Sequence, residues 1–272
     1  MPRYAAPQRP ANLRAAGLAV AAGLALSLGG CVTGGDATGA IAATAPLPDD
    51  PAALRAYAAT WQRNHEAAPD DAGATIAYAR ALRGLTQYAQ ATAVLEAAAA
   101  HHPTDTALLA AYGKALSDAG RPREAMAVLE RAHTPDRPDW SVLSAQGTVA
   151  DQLGDHAGAV NYYDAALKLR PGEPAVLSNL GLSYALAKDL PRAEEVMRLA
   201  AADPRADARV RQNYALVLSL GGKYKQAEGV AATDLSPADA AASVEAIRQT
   251  IAEDPRWRGV RGGPGPAKPP AG

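Results

Sequence analysis

The sequence predicts an all-α protein, a solenoid of about five helical hairpins with a capping helix at each end. About a quarter of the 272 residues are alanine and Phe is absent, a composition that favours helices over strands. One alanine column also recurs every 34 residues, at Ala91, Ala125, Ala159, Ala193 and Ala227. A fixed period of this length indicates a repeat protein, because sequence similarity returns once per structural unit.

A second column of small residues supports the same register. Gly or Ala stands twelve residues before each alanine, at Ala79, Gly113, Gly147, Gly181 and Ala215. Small side chains at both columns allow the two helices of a hairpin to pack closely. A single hairpin cannot bury its apolar face, so neighbouring hairpins must stack. The register places the starts of the repeats at about residues 72, 106, 140, 174 and 208.

These columns resemble the tetratricopeptide repeat, whose period is 34 residues. The resemblance implies a right-handed superhelical solenoid over residues 51–254, with capping helices at 51–67 and 237–253. It also implies that the first helix of each hairpin lines a concave groove. In the fifth repeat, Arg211, Ala231 and Asp234 replace the apolar or small residues that the pattern expects. We therefore expect looser packing there.

The first 30 residues are predicted to be a signal peptide. Three arginines and no acid precede the apolar run from Ala15 to Leu28, which is short for a membrane-spanning helix. The segment from Leu28 to Cys31 resembles the bacterial lipobox, which implies cleavage between Gly30 and Cys31 and acylation of Cys31, for example by palmitate. The alternatives are an ordinary secretory signal and a retained anchor. Val32 favours the outer over the inner membrane, because the lipoprotein retention signal is typically Asp at that position.

The two ends of the mature chain are predicted to lie outside the folded domain. Residues 31–50 are rich in Gly, Ala and Thr, and we interpret them as a flexible tether. Residues 255–272 contain four basic residues, many Gly and Pro, and no acid. This composition is typical of a disordered tail. The tail either has no role or touches peptidoglycan, acidic lipid or an acidic partner.

The sequence contains no pattern that indicates catalysis, a metal or a cofactor. The five histidines are scattered, and no glycine-rich phosphate loop follows a strand. The formal net charge of −1 gives no whole-protein argument for nucleic acid binding. We therefore predict a binding protein rather than an enzyme, with no metal site, no cofactor and no small-molecule substrate.

The resemblance to the tetratricopeptide repeat assigns candidate partner-binding residues to the groove. They are Arg80, Arg83, Lys114, Ser144, Ser178, Asn179, Arg209, Gln212 and Asn213. Asn179 and Asn213 stand one repeat apart, and a row of amides can bind the backbone of an extended peptide. The cations Arg80, Lys114 and Arg209 could bind carboxylates. The alternative is a polar face that is merely solvated.

Three stretches between the columns suggest a narrower family. Residues 178–186 read SNLGLSYAL, residues 190–194 read LPRAE, and residues 209–218 read RVRQNYALVL. Together with the lipobox they resemble the TadD-type lipoproteins of the tight-adherence (Flp) pilus assembly system. The resemblance implies a protein anchored by lipid to the outer membrane of a Gram-negative bacterium. It would face the periplasm and assist a secretin.

Two other functions remain open at this stage. One is a lipoprotein scaffold for outer-membrane protein insertion or cell-wall synthesis. The other is a subunit of a carbohydrate-modifying enzyme, against which the lack of a sizeable non-repeat domain argues.

Overall fold

The computed structural model describes residues 47–253 and 257. All of these residues lie in one compact unit. The described residues form twelve α-helices and no strand. The helices are α1 (Pro51–Ala67), α2 (Ala72–Gly84), α3 (Tyr88–His101), α4 (Thr106–Asp118), α5 (Pro122–Leu129), α6 (Trp140–Gln152), α7 (His156–Leu169), α8 (Pro174–Leu186), α9 (Leu190–Ala202), α10 (Ala208–Leu220), α11 (Tyr224–Ala231) and α12 (Pro237–Glu253).

Helices α2 to α11 form five consecutive hairpins. The first helix of each hairpin packs on its own second helix and on the first helix of the next hairpin. In the first four hairpins, the second helix also packs on the first helix of the next hairpin. Helix α1 covers α2, and α12 covers α10 and α11. The predicted all-α solenoid of stacked hairpins, with a helix at each end, is confirmed.

The columns of small residues lie where two helices meet. The five alanines of the 34-residue column are all 0% exposed. A methyl group placed on Gly147 would lie 2.6 Å from the ring of Tyr163, and one on Gly181 would lie 2.7 Å from Met197. Because each glycine faces a large side chain of its partner helix, the two columns together set the distance between the helices.

The turn inside each hairpin needs a left-handed backbone. Gly120, Gly154 and Gly222 have φ angles of 73°, 84° and 75°. In the other two hairpins the equivalent residues are Thr86 and Lys188, with φ angles of 59° and 64°. A side chain is disfavoured in this region, most of all when it is β-branched. The turn geometry is therefore imposed by the hairpin even where the sequence does not supply glycine.

The second hairpin, like the fifth, ends in a short second helix. Helix α5 has 8 residues whereas α3 and α7 have 14. Its last turns are replaced by an irregular segment that includes Pro135 and Pro138, and each proline disfavours helical geometry at the residue before it, Thr134 or Arg137. Ala132 nevertheless remains buried. The repeat period is kept because Asp139 accepts hydrogen bonds from the first backbone N–H groups of α6.

The last residues of the predicted tether and one residue of the predicted tail contact the repeat domain. Leu47 packs against Gly84, and Asp50 accepts a hydrogen bond from Ala53 N at 2.7 Å and caps α1. These two residues of the predicted tether therefore take part in the fold. Trp257, in the predicted tail, packs on the apolar cluster that contains Leu220. The rest of the tail, the signal peptide and Cys31 lie outside the described residues.

The fifth hairpin shows how its departures from the repeat pattern are accommodated. Arg211 Nε donates to Asp234 Oδ2 at 2.7 Å, and Arg211 Nη2 donates to Asp234 Oδ1 at 2.6 Å. Ala231 is buried beside them. A two-bond ion pair thus replaces the apolar contact that the pattern expects at this point.

Within residues 47–253, no helix has both the length and the apolar character of a membrane span.

Candidate functional site: a groove along the first helices

Two adjoining cavities, of about 400 and 310 Å³, run along the first helices of the hairpins, and we call them together the groove. The larger cavity draws side chains from all five first helices, including Arg83, Lys114, Ser144, Asn179 and Arg209. The smaller cavity adds Arg80 and Asp139 and shares Arg83, Lys114 and Ser141 with the larger one. Six of the nine predicted groove residues therefore line one continuous surface.

Arg80, Arg83 and Lys114 form the cationic end of the groove. Arg83 Nε donates to Asp118 Oδ2 at 2.6 Å, across the boundary between the first and second hairpins. Lys114 Nζ donates to Ser141 Oγ at 3.2 Å, across the next boundary. Among the described residues, Lys114 forms no ion pair. The hydrogen-bond acceptor of the Lys114 ammonium is therefore a neutral hydroxyl, and the Asp139 carboxylate acts on the ammonium only electrostatically.

The electrostatic surroundings of Lys114 oppose its charge. Burial lowers the pKa of the Lys114 ammonium below its ordinary range, and the neighbouring Arg83 lowers the pKa further. Asp139 acts in the opposite direction, and Arg80 adds a smaller depression. Since a depressed pKa means that the charged form is disfavoured, an anion placed in the groove would relieve this cost.

Asn179, which lines the groove, and Asn213, which lines neither cavity, each bind the preceding repeat. Asn179 Nδ2 donates to Ser144 Oγ at 3.4 Å, and Asn213 Nδ2 donates to Ser178 Oγ at 3.0 Å. Ser144 is 8% exposed and Ser178 is 2% exposed. Contrary to the prediction, Ser178 lines neither cavity and is buried at the boundary between two hairpins. Each pair joins neighbouring first helices and leaves the amide oxygen of the asparagine available as an acceptor.

The remaining predicted residues differ in position. Arg209 is largely exposed and lines the far end of the larger cavity. Gln212 is exposed but lines neither cavity. Lining residues absent from the predicted set include Trp140, Thr148, Ser117 and Asp118. Trp140 is the first residue of α6, and Arg170 follows the last residue of α7. Arg170 Cζ lies 5.4 Å from the centroid of the Trp140 ring. The local sequence pattern does not indicate this contact.

A polar cluster around Asp151 lies at the end of α6. Asp151 Oδ1 interacts with His156 Nδ1 and accepts a hydrogen bond from Ser183 Oγ, both at 2.8 Å, and Oδ2 accepts one from Tyr163 OH at 3.1 Å. Burial raises the pKa of the Tyr163 phenol well above its ordinary range. Ser183 is fully buried and donates to the carboxylate, so this Ser, His and Asp set lacks the relay geometry of a hydrolase. The cluster joins the third hairpin to the fourth.

Metal binding finds no support in the part of the chain that the structure describes. No group of three or more His, Cys, Asp or Glu side chains there is arranged to hold an ion. The polar side chains of the groove are instead donors and acceptors spread along a row of helices.

The fold and the groove define a helical-repeat scaffold whose first helices present a polar, partly cationic surface. Two family models of the tetratricopeptide repeat match the chain, one at residues 82–146 and the other at residues 144–208. Residues 82–208 therefore consist of tetratricopeptide repeats, which confirms the broader of the two resemblances. A comparison with curated protein sequences found no match.

Solved structures with the same fold include proteins of different origin. A thermophilic tetratricopeptide-repeat protein of Thermus thermophilus is 21% identical, covers 61% of this chain and 91% of its own, and has a TM-score of 0.56. PilW, a widely conserved type IV pilus biogenesis factor, is 22% identical over 77% of this chain and 91% of its own, with a TM-score of 0.53. A chain of the APC/C Cut9–Hcn1 hetero-tetramer is 20% identical, and the match covers 76% of this chain and 39% of the Cut9–Hcn1 chain, with a TM-score of 0.53. At these identities the similarity establishes the fold alone.

Proposed function

We propose that this tetratricopeptide-repeat scaffold is anchored by lipid to the periplasmic side of the outer membrane. It binds proteins in its groove and assists assembly of a Flp (tight-adherence) pilus, with the secretin as a partner. The single observation that carries the binding role is the groove, which combines side chains from five consecutive first helices. A surface of this length suits an extended polypeptide better than a compact small molecule.

The finer parts of the proposal rest on the sequence. The lipobox at Leu28 to Cys31 supports the anchor, and the stretches at 178–186, 190–194 and 209–218 support the pilus role. PilW, which has the same fold, is itself a type IV pilus biogenesis factor. That role is the role of PilW.

Crosslinking in the native host tests the partner. A photoreactive amino acid is introduced at Ala145, which lines the groove, and separately at Lys168, an exposed residue of α7 that lines neither cavity. We expect the secretin to be captured from the Ala145 position and not from the Lys168 position. Capture of cell-wall synthases or of the outer-membrane insertion machinery, without any secretin, would contradict the pilus role and favour the alternative scaffold function.

Fractionation tests the anchor separately. Removing the thiol in Cys31→Ala should release the protein from the outer-membrane fraction, because a multiply acylated cysteine is what would hold it there. Unchanged association of the Cys31→Ala protein with the outer membrane would contradict lipid anchoring. The groove and the anchor are independent, so either result leaves the other proposal to be judged on its own.

A further inference from the structure

We propose that the edge of the solenoid formed by the turns inside the hairpins lies on an anionic phospholipid surface. We call this edge the turn edge and define it as residues 85–91, 119–125, 153–159, 187–193 and 221–227, which are the five turns and the first residues of the helices that follow them. This placement rests on the proposed lipid anchor of the chain. It adds an interaction surface separate from the groove and orients the solenoid on the membrane.

The five turns lie side by side and form one edge. Cavities of about 520, 400 and 510 Å³ lie between neighbouring turns, at the junctions of the first hairpin with the second, the second with the third, and the fourth with the fifth. Between the third and fourth hairpins, Ser183 Oγ donates to the backbone oxygen of His156 at 3.5 Å. A single extended partner surface can therefore contact several turns at once.

The chain enters the folded domain beside the first turn. Leu47 lies against Gly84, the last residue of α2, and Asp50 caps the start of α1. Sixteen residues lead from Cys31, the predicted site of acylation, to Leu47. Even a fully extended chain of that length spans only about 55 Å. An anchor on Cys31 would therefore hold a lipid surface close to the turn edge, where its effective concentration makes weak contacts sufficient.

The two edges of the solenoid carry opposite charge. The cations of the turn edge are Arg121, Arg123, Lys188, Arg192, Lys223 and Lys225, and its carboxylates are Glu124, Asp155 and Asp189. The opposite edge is formed by the segments between the helical hairpins, at residues 68–71, 102–105, 130–139, 170–173, 203–207 and 232–236. Those segments contain ten carboxylates and four arginines. An anionic phospholipid surface would attract the turn edge and repel the opposite edge.

Three cations of the turn edge are available to phosphate groups. Among the described residues, Arg123, Lys188 and Lys225 form no ion pair, and all three are exposed. The other three cations each pair with a nearby carboxylate. Asp155 is the one carboxylate of the edge outside these pairs, and it accepts the backbone hydrogen bond that caps α7. The unpaired charge of the turn edge is therefore mainly positive.

Exposed leucines stand next to these cations. Leu153 is 45% exposed in the third turn, and Leu186 is 46% exposed directly before the fourth. Leu153 lines the same cavity as Arg121 and Arg123. This mixture fits the headgroup region of a bilayer, because apolar side chains can enter the boundary of the acyl chains while cations meet the phosphates. An acidic protein surface would satisfy the cations alone, so lipid is the better match for the whole edge.

Photocrosslinking to lipid tests the inference on the protein purified from its host envelope and reconstituted in vesicles. A photoreactive amino acid replaces either Leu153 on the turn edge or Leu169 beside the opposite edge, two leucines that are 45% and 44% exposed. The vesicles contain phosphatidylethanolamine and phosphatidylglycerol. We expect at least about fivefold more lipid adduct from position 153 than from position 169, as the loss of one cationic contact with lipid would be worth. Equal yields would overturn the inference.

Charge variants locate the contact. Arg123→Gln combined with Lys188→Gln should lower the yield of lipid adduct from position 153 by at least about fivefold. Replacing phosphatidylglycerol with phosphatidylcholine should act in the same direction. The matched control combines Arg137→Gln with Lys168→Gln, which removes two exposed cations at or beside the opposite edge and should leave the yield unchanged. All four positions are exposed, so the melting temperatures should stay close to that of the parent. Equal losses in the two double variants would contradict the placement.

Two further measurements separate the possible outcomes. In the host envelope, preferential capture of a protein from position 153 would assign the turn edge to a protein partner and overturn the inference. Mass spectrometry of the purified protein reads the acylation of Cys31 independently. If Cys31 is acylated while positions 153 and 169 crosslink lipid equally, the anchor stands and the placement falls. If Cys31 carries no acyl group while position 153 still crosslinks lipid preferentially, the turn edge binds lipid and the anchor falls.

Discussion

Asn213 in α10 donates a hydrogen bond from Nδ2 to Oγ of Ser178 in α8, at 3.0 Å. The same relationship recurs one repeat earlier between Asn179 and Ser144, at 3.4 Å. Each bond crosses the boundary between two hairpins on the side of the groove. Polar residues that the repeat pattern places on the binding surface thus also hold neighbouring repeats together, and this dual use shapes what each substitution should do.

Replacing Ser178 with Ala should lower the free energy of unfolding by about 0.5–1.5 kcal/mol, the usual net value of one hydrogen bond. Combining Ser178→Ala with Asn213→Ala should cost less than the sum of the two single changes, because both remove the same bond. Urea denaturation of the three variants measures the coupling. Ser243→Ala, at an exposed position of α12, is the control and should change stability by less than about 0.5 kcal/mol. Strictly additive effects of Ser178→Ala and Asn213→Ala would contradict the proposed link.

Gly147→Ala should destabilise the protein by about 1–3 kcal/mol, as overpacked cores do. The added methyl group would lie 2.6 Å from the Tyr163 ring, which is itself buried and cannot easily move away. Gly229→Ala is the matched control, because nothing lies within 4 Å of a methyl group at that helical position. That control should raise stability by about 0.5–1 kcal/mol through helix propensity. Thermal and urea unfolding that show the same sign for both changes would be inconsistent with this packing.

Thr86→Gly should stabilise the protein by about 1 kcal/mol, because Thr86 has a φ of 59° in the turn between α2 and α3. Lys188→Gly should act in the same direction, although less strongly, since lysine is not β-branched. The control is Thr104→Gly, which lies in an exposed turn and is not among the residues with positive φ. That change should leave stability unchanged or lower it. A loss of stability in Thr86→Gly, measured by urea denaturation, would refute the strain at this turn.

Asp234→Ala, which restores the small residue of the repeat pattern, should destabilise the protein by about 0.5–1 kcal/mol because it leaves Arg211 without its carboxylate. Adding Arg211→Leu should recover this loss. The pair also predicts a pH dependence: the hydrogen bond from Arg211 lowers the pKa of Asp234 below its ordinary value. Its stabilising effect should therefore be complete above the unfolded-state pKa of about 4 and disappear as the pH falls through the folded-state pKa.

Free energies of unfolding of the parent and Asp234→Asn, measured between neutral pH and about pH 2, test this sign. The two curves should converge at low pH and separate as the pH rises. A difference that is constant over the whole range would show that the ion pair does not contribute through the charge of Asp234.

Periodic features were the most predictable part of the fold. The alanine column and the glycines facing Tyr163 and Met197 are strictly periodic, so their spacing along the chain indicates their position in space. Arg211 and Asp234 appeared as two separate departures from the pattern. Their compensation is visible only when α10 and the end of α11 are placed side by side, 23 residues apart in sequence.

The sequence by itself determined that the fold is all-α, that the repeats follow a 34-residue register, and which small residues are buried. These features depend on composition and periodicity alone. It also placed Arg80, Arg83 and Lys114 on one surface. Only the tertiary structure decided that Ser178 is buried, that Arg83 is paired with Asp118, and that Lys114 donates to the Ser141 hydroxyl. The reason is physical: these contacts cross repeat boundaries and depend on the rotation between neighbouring hairpins, which the repeat pattern does not encode.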